Sequence, residues 1–492
     1  MSSFSDFRSS WISSVSPNEA FKFNRRIAWD NITESDFYNL LQSPDQYFTS
    51  SFLDSNRNNI TFIQKSLFEH SELPLNKPKA NETRSFVDLW DPLKLCVPAL
   101  LYDYNPQLDN LCSACAIENI VDLLINRLVD LSDALLWDQF LLFRKPGAFF
   151  TAQINIQNDH PPSRLVYTDF IFSLRRDSLS TLFRDFPVYE FYVGIIFTHW
   201  WSFITEFLDR LALDRSAISS TFFIPENSIL SEIEGSLSDP HRFSRTVLIL
   251  SFTSPSDLKG SQNYRLVYKP KPLELEYKYY NFLSLLNSIS TRVPFRTLEI
   301  LCRSNYGYVE YIFRDNVDDA SDLAFFYYML GRLSSVLWLL GCTDLHHENL
   351  IISSNQLILV DAETIFDSPI PSEPSGEGNA QPTKLETLIF RSLLTCGLLP
   401  FWTHYGALNT PVDISAIGID TPSSNLSSRD GWLYINTDAM TAGKINVSSK
   451  IPSTLPYGIG SPNSFYKYIG DFVSGFEEQS EFFIANSSSF LR

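Results

Sequence analysis

The residues of this chain best suited to chemistry are Asp344, His346 and Asn349, in the run Asp344-Leu345-His346-His347-Glu348-Asn349, and Asp361 and Glu363, in Asp361-Ala362-Glu363-Thr364. Between the two groups lie Leu350-Ile351-Ile352, a polar Ser353-Ser354-Asn355 and Leu357-Ile358-Leu359-Val360, which read as strand, tight turn and strand. A β-hairpin at this place returns Asp361 to the neighbourhood of Asn349. An amide and a carboxylate brought together offer hard oxygen ligands to Mg²⁺. An aspartate a few residues upstream is then placed to orient or deprotonate a hydroxyl. Phosphoryl transfer divides its labour in this way, because positioning and charge neutralisation supply most of the catalysis. Each residue alone also fits an ordinary capping role in a turn. The case rests on their combination, just before a hairpin that ends in Asp-x-Glu.

The elements that must position these groups are legible upstream. Thr246–Phe252 is β-branched and apolar and predicts a strand; residues 253–263, with Pro255, Asp257 and Gly260, predict a loop. Tyr264–Lys269 alternates and predicts the return strand, ended by Pro270 and Pro272. A helix follows over 273–286, then further strands, then a longer helix over 321–340 that leads into Asp344. Lys269, at a strand end, is placed to meet ATP phosphates, with Glu274 or Glu276 as its partner. Taken singly, a strand-end lysine and acidic residues at a helix start are ordinary surface features. The order of sheet first and helical catalytic part second matches a two-lobed kinase.

Four segments are expected: a polar one over 1–90 with short helical patterns such as Glu34–Leu41; a mainly helical one over 91–235; the catalytic core over 236–367; and a remainder over 368–492. In the second, residues 110–145 repeat Ile117, Ile120, Val121, Leu124 and Leu128 at helical spacing, and another helix is predicted over Tyr189–Leu213, just after Phe186-Pro187. In the last, 367–383 is rich in Pro, Ser, Gly and Glu and reads as a surface segment, 384–400 as a helix, and 406–465 as irregular.

The 492 residues include 40 Phe and 22 Tyr, enough apolar material for large cores and the opposite of a disordered composition. The net charge of −18 argues against a nucleic-acid partner, which needs a basic stripe. The amino terminus shows no secretory pattern. The most apolar windows, Tyr192–Leu208 and Phe325–Cys342, are interrupted by His199, Glu206 and Arg332 and read as buried helices. A cytoplasmic protein is expected. Six cysteines are scattered; Cys112-Ser113-Ala114-Cys115 lacks the second pair that a structural zinc site requires, so the thiols are expected to be buried and no zinc is expected.

Ser238-Asp239-Pro240-His241-Arg242, Leu266-Val267-Tyr268-Lys269-Pro270-Lys271, Asp344-x-His346-x-x-Asn349 and Asp361-x-Glu363-Thr364 resemble the dehydratase domain of class II lanthipeptide synthetases, the LanM type. Softer signals follow in the same order: Phe186-Pro187, Tyr306-Gly307-Tyr308, Gly397-Leu398-Leu399-Pro400, Asp413-Ile414-Ser415-Ala416, Thr437-Asp438-Ala439-Met440 and Gly475-Phe476. The resemblance runs from about residue 80 to the carboxyl end. It implies an α+β fold: a two-lobed, lipid-kinase-like catalytic core with a helical N-terminal region and added helices. It also implies an activity, the phosphorylation of Ser and Thr in a ribosomal precursor peptide with ATP and Mg²⁺, followed by elimination of phosphate to dehydroalanine or dehydrobutyrine. Phosphate leaves readily where hydroxide does not, once the α-proton is removed.

The resemblance assigns roles by position. Lys269, supported by Glu276, would bind ATP phosphates; Asp344 would act on the substrate hydroxyl; His346 would support the loop. Asn349 and Asp361 would hold Mg²⁺ with the help of Glu363. Asp239 and His241 match positions tied to the active site and to elimination. Ser238 and Ser244 stand where the family commonly has glycines. The family's eliminating Arg and Thr, and its zinc-bearing cyclase, belong to segments that would follow Arg492. The phosphorylating half is therefore expected without the full eliminating half, with a separate chain as one way to supply the rest. The competing expectation is a catalytically idle remnant that binds the leader of the precursor peptide.

Overall fold

The computed structural model describes residues 20–29, 33–36, 50–76, 82–157, 160–235, 243–254, 264–314, 320–346, 348–366, 392–399, 402–404, 411–413, 415, 417, 427–447 and 464–490. The N-terminal part is helical: α1 (Ser50–Glu69), α2 (Ala114–Phe143), α3 (Leu165–Arg176) and α4 (Pro187–Phe222). Ser113 starts α2 by accepting the Ala116 N–H on its hydroxyl at 3.2 Å. The expected stripe of Ile117, Ile120, Val121, Leu124 and Leu128 is buried. Pro187 opens α4 at a position whose N–H would have no helical partner. Val193, Phe197, Trp200, Ile204, Phe207 and Leu211 bury its inner face, and the Trp200 indole donates to the Ile120 carbonyl at 3.0 Å. Helix α1, twenty residues long and anchored by Ile60, Ile63 and Leu67, exceeds the short helical patterns expected of residues 1–90.

The centre is a five-stranded antiparallel sheet of β1 (Ile229–Glu234), β2 (Leu248–Thr253), β3 (Tyr264–Lys269), β4 (Ile300–Cys302) and β5 (Gly307–Glu310), in the order β1-β2-β3-β5-β4. One face places Leu248, Leu250, Phe252, Leu266, Tyr268 and Tyr308 in a core shared with the N-terminal helices. Ile300 and Val309 enter a second core with α5 (Glu274–Ile289) and α6 (Ala320–Leu339). The sheet thus lies between two apolar cores, with α5 inserted between its third and fourth strands. Strand β1 extends the sheet into the segment expected to be mainly helical. Its bulge between Leu230 and Glu232 breaks the period-two alternation that would have marked it.

Beyond α6 come the hairpin of β6 (Leu350–Ser353) and β7 (Gln356–Leu359), the pair β8 (Trp402–His404) and β9 (Pro411–Asp413), the hairpin of β10 (Ser427–Leu433) and β11 (Thr441–Val447), and α7 (Ile469–Ala485). Three expectations are corrected here. The described part of 406–465 contains paired strands. The described residues of 384–400 form a 3₁₀ turn, Leu393–Cys396, which Gly397 ends at φ +84°; residues 367–383 lie outside the described set. Cys112 is buried as expected, but Cys115 is exposed.

Among the described residues, buried polar bonds and a helix crossing are two of the contacts that join the later segments to the earlier ones. Asn436 accepts the Phe86 N–H at 2.7 Å and the Tyr167 hydroxyl at 3.1 Å, and donates to the Arg84 carbonyl at 2.9 Å. Asp438 accepts the Tyr167 N–H at 2.8 Å, while Arg144 donates to the carbonyls of Asp438 and Met440 at 2.8 and 2.7 Å. The second contact is the crossing of α6 and α7, where the backbones meet at two glycines. A Cβ on Gly331 would stand 1.9 Å from the Phe472 carbonyl oxygen, and one on Gly475 would stand 2.0 Å from that of Tyr328. Among the described residues no helix is long and apolar enough to cross a membrane.

The crossing gives a direct test. Gly475→Ala is expected to lose about 1–3 kcal/mol in urea unfolding, because the helices must separate to admit a methyl group. Gly470→Ala, on the same helix with nothing within 4 Å of the new Cβ, is expected to be neutral or slightly stabilising.

Candidate functional site

The hairpin forms as its sequence dictates. Leu350 pairs with Leu359 and Ser353 with Gln356, leaving Ser354-Asn355 as a two-residue turn with φ of +53° and +58°. Positive φ at both positions is the turn that matches strand twist, and asparagine tolerates it. The Val360 N–H then donates to the Asn349 carbonyl at 2.8 Å, so Asp361 starts beside the end of the Asp344–Asn349 loop. Thr364 closes the arrangement, since its carbonyl accepts the Thr343 N–H at 3.3 Å and its hydroxyl donates to the Thr343 carbonyl.

Within the loop, Asp344 has φ +58°, a left-handed backbone that a non-glycine residue adopts only when its surroundings enforce it. The Asn349 amide donates to the Asp344 carbonyl at 2.9 Å, and the Leu345 N–H donates to the Cys396 carbonyl at 2.7 Å. The Asp344 side chain is 57% exposed. His346 lies beneath it. Its Nε2 is 3.7 Å from Asp344 Oδ1 and 3.3 Å from Asn349 Nδ2, its Nδ1 accepts the Glu348 N–H at 3.2 Å, and its backbone bridges to Ser415. These contacts tie the imidazole to both ends of the Asp344–Asn349 loop.

Lys269 and Glu276 are both buried and form an ion pair, with Lys269 Nζ at 3.0 and 3.1 Å from the two carboxylate oxygens. The third Lys269 proton goes to the Val360 carbonyl at 2.5 Å. Glu274, the alternative partner, faces solvent and pairs with Lys278 at 2.7 Å. Burial raises the Glu276 carboxyl above its ordinary range, against the pull of the Lys269 ammonium.

Asp361 and Glu363 meet on one cation, Lys271. Its Nζ lies 3.0 and 3.1 Å from the Asp361 oxygens and 2.8 Å from Glu363 Oε2. Among the described residues there is no group of three His, Cys, Asp or Glu side chains able to enclose a metal. The donor set on offer is two carboxylates and the Asn349 amide. That is short of a protein cage but suited to Mg²⁺, which takes one or two carboxylates and completes its shell with water and phosphate. The convergence of Asp361 and Glu363 on one ammonium shows that their oxygens reach a common point of positive charge.

Asp344, His346, Asn349, Lys269, Glu276, Asp361 and Glu363 are therefore gathered where α6, the hairpin and the Lys269 end of β3 come together. Asp239 and His241 lie outside the described residues. Sequence reasoning gave no role to Lys271, Gly397 or Ser415. The first stands two residues after Lys269, just beyond the end of β3.

A family model described as a domain of unknown function (DUF4135) matches residues 186–492, more than half of the chain. The Lacticin 481/lactococcin biosynthesis protein LcnDR2 of Lactococcus lactis subsp. lactis is 24% identical over 360 residues, covering 68% of this chain and 36% of that protein. The chain thus spans about a third of the length of the relative it matches. These similarities agree with the likeness to LanM-type synthetases carried by the motifs.

The buried pair supplies this site's test. Glu276→Ala strands the Lys269 ammonium and is expected to lose about 3–5 kcal/mol of unfolding free energy. The double variant Lys269→Met/Glu276→Leu is expected to recover most of that loss. A double variant as unstable as the single would show that packing, not the stranded charge, dominates.

Proposed function

Because the chain belongs to the DUF4135 family, we propose that it carries the phosphorylating activity of lanthipeptide biosynthesis, transferring the γ-phosphoryl group of ATP to Ser and Thr hydroxyls of a ribosomal precursor peptide. The observation that carries the reading is the Lys269–Glu276 pair. It joins the third strand of an antiparallel sheet to the helix that follows, and its third hydrogen bond ends on the residue before Asp361. A strand lysine paired with a helix glutamate, together with a metal-binding aspartate, is the combination that a kinase must assemble. Asp344 precedes Asn349 by five residues, the spacing of the kinase catalytic loop, and its exposed carboxylate is available to a substrate hydroxyl. Asn349, Asp361 and Glu363 would hold Mg²⁺, which would neutralise charge developing on the phosphates.

The family likeness further supports a product that is an intermediate. A phosphorylated Ser or Thr loses phosphate once its α-proton is taken, which gives the dehydro residue. Asp239 and His241 are the family positions tied to that step. The named relative is described as a biosynthesis protein for lacticin 481 and lactococcin; for this chain the substrate class is a peptide rich in Ser and Thr.

The decisive experiment is the intact mass of a Ser/Thr-containing precursor peptide incubated with this chain, ATP and Mg²⁺. A gain of phosphate supports the reading, and a loss of water shows that elimination follows. An unchanged mass with retained peptide binding favours the idle leader-binding alternative. Asp344→Asn is expected to slow phosphate transfer by about 10²–10⁴-fold with nucleotide binding kept. Asp361→Ala is expected to abolish Mg²⁺-dependent nucleotide binding.

A further inference from the structure

The two lysines of Lys269-Pro270-Lys271 have different surroundings. The Lys269 side chain is 7% exposed and its three protons are all committed, to Glu276 and to the Val360 carbonyl. Lys271 is 30% exposed and pairs with both Asp361 and Glu363. It is an ammonium at the point where the metal-binding oxygens converge.

An ammonium hydrogen-bonded to these oxygens and a divalent ion coordinated by them cannot occupy the same space. Mg²⁺ requires oxygens at about 2.0–2.1 Å and would meet a like charge at close range. We propose that Lys271 is the resident counter-ion of the Asp361–Glu363 pair, keeping divalent metal out until nucleotide phosphates draw its ammonium away. This rests on the reading of Asp361 and Glu363 as metal ligands. A lysine suits the task because its charge rides on a flexible four-carbon stem, and the side chain of this one is partly exposed. Phosphate oxygens offer the ammonium a second set of acceptors. Once it moves, the carboxylates are left as an unneutralised pair, which favours the cation. Nucleotide and metal binding are then coupled, each tightening the other by the same factor. Without nucleotide, Lys271 also relieves the repulsion between the two carboxylates.

The test is direct binding of Mn²⁺ to the full chain, followed by electron paramagnetic resonance of the free ion, without nucleotide and with a non-hydrolysable ATP analogue. Nucleotide-free wild-type protein is expected to bind Mn²⁺ weakly. Lys271→Met is expected to bind it about tenfold tighter or more, and Asp361→Ala is expected to remove binding from both backgrounds. The analogue is expected to tighten Mn²⁺ binding far more in wild type than in Lys271→Met. Adding Mn²⁺ should also raise the melting temperature of nucleotide-free Lys271→Met more than that of wild type. Lys271→Gln repeats the measurement with a neutral polar side chain, and circular dichroism reports folding. If Lys271→Met and Lys271→Gln bind Mn²⁺ no tighter than wild type, while Asp361→Ala abolishes binding, the metal assignment stands and the counter-ion role is overturned. If Mn²⁺ binding is independent of Asp361 in every background, both are overturned.

Discussion

One buried ammonium fixes much of the site. Lys269 has three protons and nowhere wet to put them, so the fold must supply three acceptors or leave a charged group unsatisfied in the core. Two come from Glu276 on α5, and the third is the Val360 carbonyl at the end of the β6–β7 hairpin. That third bond matters most, because Val360 immediately precedes Asp361. The register of β3 thus sets where the Asp361 segment starts. Helix α5 reinforces the link through Tyr280, whose hydroxyl donates to the Leu359 carbonyl at 2.6 Å. Strand, helix and hairpin are bound to one another by polar bonds in apolar surroundings, where such bonds are strongest and their loss most costly.

The Asp344 loop shows a second constraint, on backbone geometry. A left-handed aspartate is unfavourable alone, and here it is held by a hydrogen bond on each side: Asn349 to its carbonyl, and the following N–H to the Cys396 carbonyl. The second bond brings the chain after Cys396 against Leu345, and Gly397 sits at that contact. Its φ of +84° disfavours any side chain, and a Cβ there would lie 3.1 Å from the Leu345 nitrogen. Gly397 thus serves the Asp344 loop from a distant point in the sequence. Strain at Asp344 is sustained because several elements over-determine it.

The sequence disclosed the parts of this protein that are local. The hairpin, the bounds of β3, the helix leading to Asp344 and the stripe of α2 all follow from periodicity and turn chemistry within short windows. The overturned expectations depended on distant partners. Strand β1 is irregular by itself and acquires its place by pairing with β2. Of the strands within 406–465, β10 and β11 pair with each other and β9 pairs with β8, and Ser415 bridges to His346. Between Glu274 and Glu276 the sequence could not choose; burial chose, placing one opposite Lys269 and the other in solvent. The softer motif signals have a structural meaning that no local rule contains. Pro187 starts a long helix, Tyr308 fills a core, Asp438 fastens the later chain to the N-terminal helices, and Gly475 lets two helices touch. They mark long-range closures of the chain rather than chemistry.

The two lysines on either side of Pro270 show how burial separates roles that sequence makes look alike. Both are lysines, two residues apart, and both pair with carboxylates. Lys269 lies where water cannot replace its partners, so moving it would leave Glu276 charged and unpaired in the core; its position is part of the fold. Lys271 lies where water and ligands reach it, so exchanging one set of acceptors for another has a small penalty. On the proposed reading, a chain with a net charge of −18 that receives a polyanionic nucleotide beside Asp344, Asp361 and Glu363 would need positive charge that can respond to what arrives. A fixed cation already spent on a fold contact answers that need poorly. Lys269 ends the strand and Lys271 follows it, and depth below the surface makes the first part of the architecture while the second stays in reach of solvent.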